Sequence, residues 1–109
     1  MEPVNLINTT HLNRAASGMC ERLRGALPDV RVTLLENVMQ FVWNGATVQC
    51  VADAFWAHPN VVCWFVHVTH TNGNFQYSEG TPNPDMALLD IGQAMQFANE
   101  HGDKPIMER

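Results

Sequence analysis

Charge is what this chain has least of: Asp, Glu, Lys and Arg make up 16% of its 109 residues, against about 25% in ordinary soluble domains. So thinly charged a surface suits a protein that covers part of itself with a partner or a second copy. Base is scarcer than acid. The six bases are Arg14, Arg22, Arg24, Arg31, Lys104 and Arg109, so residues 32–103 contain none. The same stretch carries Glu36, Asp53, Glu79, Asp85, Asp90, Glu100 and Asp103, and the formal net charge is −5. A nucleic-acid partner needs a basic track that displaces counterions from phosphates, and an anionic membrane surface needs the same. We therefore expect no nucleic-acid partner and no membrane partner.

Other absences narrow the field. Residues 1–8 combine neither a basic segment nor an apolar one of signal-peptide type, and no apolar run approaches the ~20 residues of a membrane span. Cys20, Cys50 and Cys63 are too few and too scattered for a disulfide framework, and fit a reducing, cytoplasmic setting. There is no internal repeat, glycine-rich phosphate loop, nucleophile elbow, histidine pair on a helix face or calcium loop. No cofactor is expected.

What is present reads as one α+β domain over residues 1–109. Leu12, Ala15, Ala16, Met19, Leu23, Ala26 and Leu27 recur at helical spacing, predicting a helix over 9–27 capped by Thr9 or Thr10 and stopped by Pro28. Residues 30–51 alternate like strands. Asn44-Gly45 is a strong hairpin signal, and a two-residue loop there sets Trp43 against Ala46, Phe41 against Val48 and Met39 against Cys50. A second loop at Glu36-Asn37 sets Leu34 against Met39 and places Val30, Val32 and Leu34 on the same face. The agreement of two turns matters, because a slip of one residue would turn every apolar side chain outward.

Residues 52–60 break the alternation and read as a connection or a single helical turn. A hairpin is predicted over 61–78, with Asn72-Gly73 as its loop pairing Val68 with Tyr77 and His70 with Phe75. Asn83-Pro84 then starts a helix over 84–101, with Met86, Leu88, Leu89, Ile91, Met95 and Ala98 as its apolar stripe. Residues 103–109 read as a tail. The resulting fold class is a five-stranded antiparallel sheet, a meander plus a hairpin, with both helices on one face.

Candidate chemistry is thin. Cys63, His67 and His70 are good ligand types, but Cys63 and His67 lie roughly 13 Å apart along one strand and His70 points to the other face. A zinc ion needs donors within about 2.3 Å, so no metal site and no catalytic residue is assigned. Cys20 and Cys50 fall on apolar stripes, as core positions. Trp43 and Trp64 fall on the core side. Trp56 lies in the irregular connection, where an aromatic residue seals the core or anchors a partner.

The remaining feature is the sheet face that no helix covers. It carries uncharged amides and hydroxyls among apolar groups, a mixture typical of interfaces. On it we expect a protein-binding surface with Phe65 as anchor and Gln40, Gln49, His67, Thr69 and Gln76 around it, extended by Trp56. The expected function is that of a small non-catalytic protein-binding domain of inhibitor, adaptor or immunity type, such as a bacterial or phage counter-defence protein. Two alternatives stand beside it. One is a ligand-binding protein or enzyme with a histidine acid–base group in a pocket between helix and sheet; the other is a structural homodimer closed through the open face.

Overall fold

Two long helices bracket a run of strands, in the order α1 (Thr9–Ala26), β1 (Thr33–Leu35), β2 (Val38–Trp43), β3 (Ala46–Phe55), β4 (His58–His70), β5 (Phe75–Tyr77) and α2 (Pro84–His101). The computed structural model describes residues 8–55 and 58–101, with only the backbone of residue 55 and residues 58–60. The strands form a single antiparallel meander in the order β1-β2-β3-β4-β5, so the α+β class expected from the sequence is the class observed.

The first helix buries Leu12, Ala16, Met19, Cys20 and Leu23, a stripe at helical spacing. Its cap is Asn8, one residue before the expected threonines: the Asn8 side chain accepts from the His11 amide at 2.8 Å. Asparagine ranks above threonine at this position. At the other end the Arg24 guanidinium donates to the Val32 carbonyl at 2.9 Å, tying the helix to the start of the sheet.

The second helix is capped as expected, with the Asn83 side chain accepting from the Asp85 amide at 2.8 Å. The buried face differs from expectation. Ala87, Ile91, Ala94 and Ala98 are buried, while Met86 and Leu89, placed on the apolar stripe by periodicity, are exposed. A row of alanines lets the helix lie close on the sheet, and the larger side chains are displaced to its flanks.

Both turns used to set the first register form as expected. Asn44 and Gly45 have φ of 49° and 82°, the two positive values a type I′ loop requires. Met39 pairs with Cys50, Phe41 with Val48 and Leu34 with Met39. Met39, Phe41, Val48, Cys50, Val66 and Val68 accordingly join one buried cluster with α1 and α2.

Two expectations are corrected. Residues 52–55 and 58–60 do not interrupt the sheet: Ala52 pairs with Trp64, Asp53 with Cys63 and, past an irregularity in register, Phe55 with His58. The meander and the hairpin are thus one continuous ladder, because Ala52 and Asp53 carry on the inward–outward alternation of β3. The second correction is in β5, where Thr69 pairs with Phe75, Val68 with Gln76 and His67 with Tyr77. That is one residue out of the expected register. The loop holds three residues, since the His70 amide donates to the Asn74 carbonyl and the Gly73 amide to the His70 carbonyl, with Gly73 at φ 99°.

Long-range contacts explain the choice. His70 is 3% exposed, and its Nε2–H donates to the Ala98 carbonyl at 2.9 Å. The side-chain amides of Asn72 and Asn74 each donate to the His101 carbonyl at 3.0 Å. The β4–β5 turn therefore caps the last turn of α2, satisfying carbonyls that have no partner within the helix. The β2–β3 turn joins it: Trp43 Nε1 donates to Asn99 Oδ1 at 2.9 Å, and the Asn44 amide donates to the same oxygen.

Candidate functional site

Because both helices lie on one face, the opposite face of the sheet is left open, and the observed pairing arranges it in three cross-strand rows. Leu35, Val38, Val51 and Phe65 form an apolar row. Thr33, Gln40, Gln49, His67 and Tyr77 form a polar row, followed by Val42, Thr47, Thr69 and Phe75. None of these residues carries a formal charge when histidine is neutral. Leu35 is 76% exposed, Val42 66%, Tyr77 60% and Phe75 53%. An antiparallel sheet with one solvated face ordinarily turns polar residues outward, so large apolar groups this exposed mark a surface suited to a partner.

The polar row is internally ordered. Gln49 Nε2 donates to Gln40 Oε1 at 2.9 Å, and the His67 ring meets the edge of Tyr77 with centroids 4.6 Å apart. Tyr77 in turn lies against Phe75, with centroids at 5.1 Å. Three rings thus form a contiguous patch at the β5 side of the face, with the paired amides beside it. Aromatic residues with few torsions to freeze are the common anchors of protein interfaces.

Of the residues expected on this surface, Phe65, Gln40, Gln49, His67 and Thr69 lie on the open face. Gln76 does not. The one-residue change in β5 turns it to the helix side, opposite Val68, and brings Phe75 and Tyr77, expected in the core, onto the open face instead. Phe65 is half-buried: its ring lies over Gly80, where a Cβ would come within 2.5 Å of Phe65 Cε2. It therefore supports the loop after β5 as much as it offers itself to a partner. Trp56 lies outside the described residues. The triplet Thr71-Asn72-Gly73 was the signal that could have revealed Phe75 and Tyr77, since a three-residue hairpin loop with glycine at its positive-φ position is the next commonest choice.

The cysteines are placed as packing groups. Cys20, Cys50 and Cys63 are free and buried. Burial, with the Asp90 carboxylate adding to it, pushes the Cys50 thiol up to about 12. Burial and the neighbouring Asp53 also raise Cys63. A thiol that stays protonated at neutral pH is a poor nucleophile and a poor ligand. Among the described residues no group of three or more His, Cys, Asp or Glu side chains is arranged to hold a metal ion, and no helix is long and apolar enough to cross a membrane.

A second concave feature lies between β5 and α2. It is a groove of about 480 Å3 lined by Gln76, Ser78, Glu79 and Thr81 on the strand side and by Met86, Asp90, Gln93 and Ala94 on the helix. Burial raises the Asp90 carboxyl above its usual value of 3.8. Neither Asp90 nor Glu79 takes part in an ion pair among the described residues.

Comparison with protein-family models, with curated proteins and with solved structures finds no match for this chain.

Proposed function

We propose that this chain is a small non-catalytic protein-binding domain that acts by laying its open sheet face on a partner protein. The observation that supports this reading is the aromatic patch of His67, Tyr77 and Phe75, set on a face whose three central rows carry no formal charge. Such a face offers apolar area without the desolvation cost of buried charge. Inhibitor, adaptor and immunity-type proteins all work by this kind of occupation, and bacterial or phage counter-defence is one setting for it. Phe75 and Tyr77 replace Phe65 as the leading anchors, with Gln40, Gln49, His67 and Thr69 as polar neighbours.

A second copy of the chain is the alternative occupant. The three central rows bring no like charges together even though each molecule carries −5, so a homodimer fits the same surface. Light scattering on the pure chain separates the two occupants. A monomer that captures one stoichiometric protein, and loses it in Tyr77→Ala and Thr69→Glu, supports the hetero-partner. Tyr77→Ala is expected to weaken association by about 2 kcal/mol while leaving the thermal midpoint nearly unchanged. Capture that survives both substitutions would place the working surface elsewhere.

A further inference from the structure

The groove between β5 and α2 is a second concave surface, meeting the open face at Tyr77. Its strand wall is the edge of the sheet: β5 is last in the strand order. The hydrogen-bonding residues of the β4–β5 ladder are fixed by the Ser78 amide donating to the Val66 carbonyl and the His70 amide donating to the Asn74 carbonyl. Bonded pairs alternate along an antiparallel ladder, so Asn74, Gln76 and Ser78 face β4. The backbone amides and carbonyls of Phe75 and Tyr77 consequently point away from the sheet, where no other described strand lies. An unpaired edge beside a helix is the arrangement into which an extended peptide adds as one more strand.

The groove's charge chooses among occupants. Its volume of about 480 Å3 lies within the usual range of ligand sites. Glu79 and Asp90 stand on opposite walls, and no Lys or Arg occurs anywhere from residue 32 to residue 103. The burial that raises Asp90 is a penalty on the bare carboxylate that a cation would offset. A second copy of this chain is a poor occupant, since pairing two β5 edges would bring Glu79 and Asp90 of each molecule toward those of the other. A small amine would answer the carboxylates but leave the Phe75 and Tyr77 backbone unpaired.

We propose that the β5–α2 groove binds a basic peptide segment in extended form, pairing with the backbone of Phe75 and Tyr77 and placing a Lys or Arg side chain between Glu79 and Asp90.

The probe is an acetylated, amidated octapeptide alternating threonine and lysine, titrated into the 15N-labelled chain at low salt. Binding should saturate, with the largest shifts at the Phe75 and Tyr77 amides, and those two amides should gain protection from hydrogen exchange. Replacing every other threonine by proline keeps the charge but removes backbone donors, and should weaken binding about tenfold or more. The double variant Glu79→Gln with Asp90→Asn should weaken it by about the same factor, with the fold verified by its thermal midpoint. The matched threonine–glutamate peptide should not bind. The proposal is overturned by no saturation at millimolar peptide, by shifts confined to β1, β2 and β3, or by affinity that survives either the prolines or the double variant. Butylamine competing as well as the peptide would also overturn it, assigning the groove to small cations. The open-face reading is tested separately, by loss of the protein partner in Tyr77→Ala and Thr69→Glu, which change side chains of the open face and leave Glu79, Asp90 and the β5 backbone in place.

Discussion

Asp90 shows how much one side chain can report. It sits on the inner flank of α2, where burial raises its carboxyl above 3.8, and no ion pair relieves it. A folded-state value above the unfolded one means that folding works against the charged form. The destabilisation is fully present once the pH exceeds the raised folded value, and it fades as the pH falls through that value toward 3.8. Asp90→Asn should therefore raise the thermal midpoint at pH 7, and the gain should vanish near pH 3. Paired thermal scans across that range check it; an equal gain at both ends would show that the effect is packing and not ionisation. The same variant should lose affinity for a basic peptide while becoming more stable, which separates a binding defect from a folding one. His70 makes the complementary point, since a histidine on a strand beside Cys63 and His67 invites a ligand reading. Its burial and its bond to the Ala98 carbonyl make it a satisfied core residue.

At the scale of elements, the segment that follows β5 holds the two surfaces apart. The chain leaves β5 through Ser78, bulges at Glu79 and Gly80, and pairs again at Thr81 with Trp64. Gly80 has φ 96°, and the Phe65 ring fills the space where its side chain would stand. Gly80→Ala should cost about 2 kcal/mol or more, combining backbone strain with overpacking. In a Phe65→Ala background the clash is gone, and the cost should fall to about 1 kcal/mol, the strain alone. Chemical denaturation of the four species of this cycle tests the coupling; strictly additive costs would mean that the ring and the glycine do not meet. The elements themselves were largely legible in the residues. Both helices, the β1–β2 and β2–β3 turns and the alternation of β2 and β3 are set by neighbours a few positions away. Less legible was the alanine face of α2, because periodicity weights Met86 and Leu89 by hydrophobicity, whereas close approach to a sheet selects by size.

For the molecule as a whole, the bases among the described residues are Arg14, Arg22 and Arg24 on α1, and Arg31 just before β1. Arg22 is engaged with Asp85 at 2.8 Å, and Arg24 lies 3.7 Å from Glu21. Such exposed pairs add little stability, but they leave few cations free to meet phosphates. Duplex DNA or RNA should show no specific shift in a gel titration near physiological salt; binding tighter than about 1 μM with a steep salt slope would overturn that. By itself the sequence determined the α+β class, the limits of α2 and the register of the first three strands. Those features follow from caps, alternation and the paired positive φ of Asn44 and Gly45, all local in the chain. It could not determine which aromatic residues face outward beyond β4. Asn72-Gly73 is compatible with loops of two or three residues, and the two place Phe75 and Tyr77 on opposite faces of the sheet. Only tertiary structure decided between them, through hydrogen bonds from His70, Asn72 and Asn74 to carbonyls of α2 that lie 28, 29 and 27 residues further along. A three-residue loop lets that turn cap the helix, and by capping it the fold moved its two outermost rings from the core side to the open face.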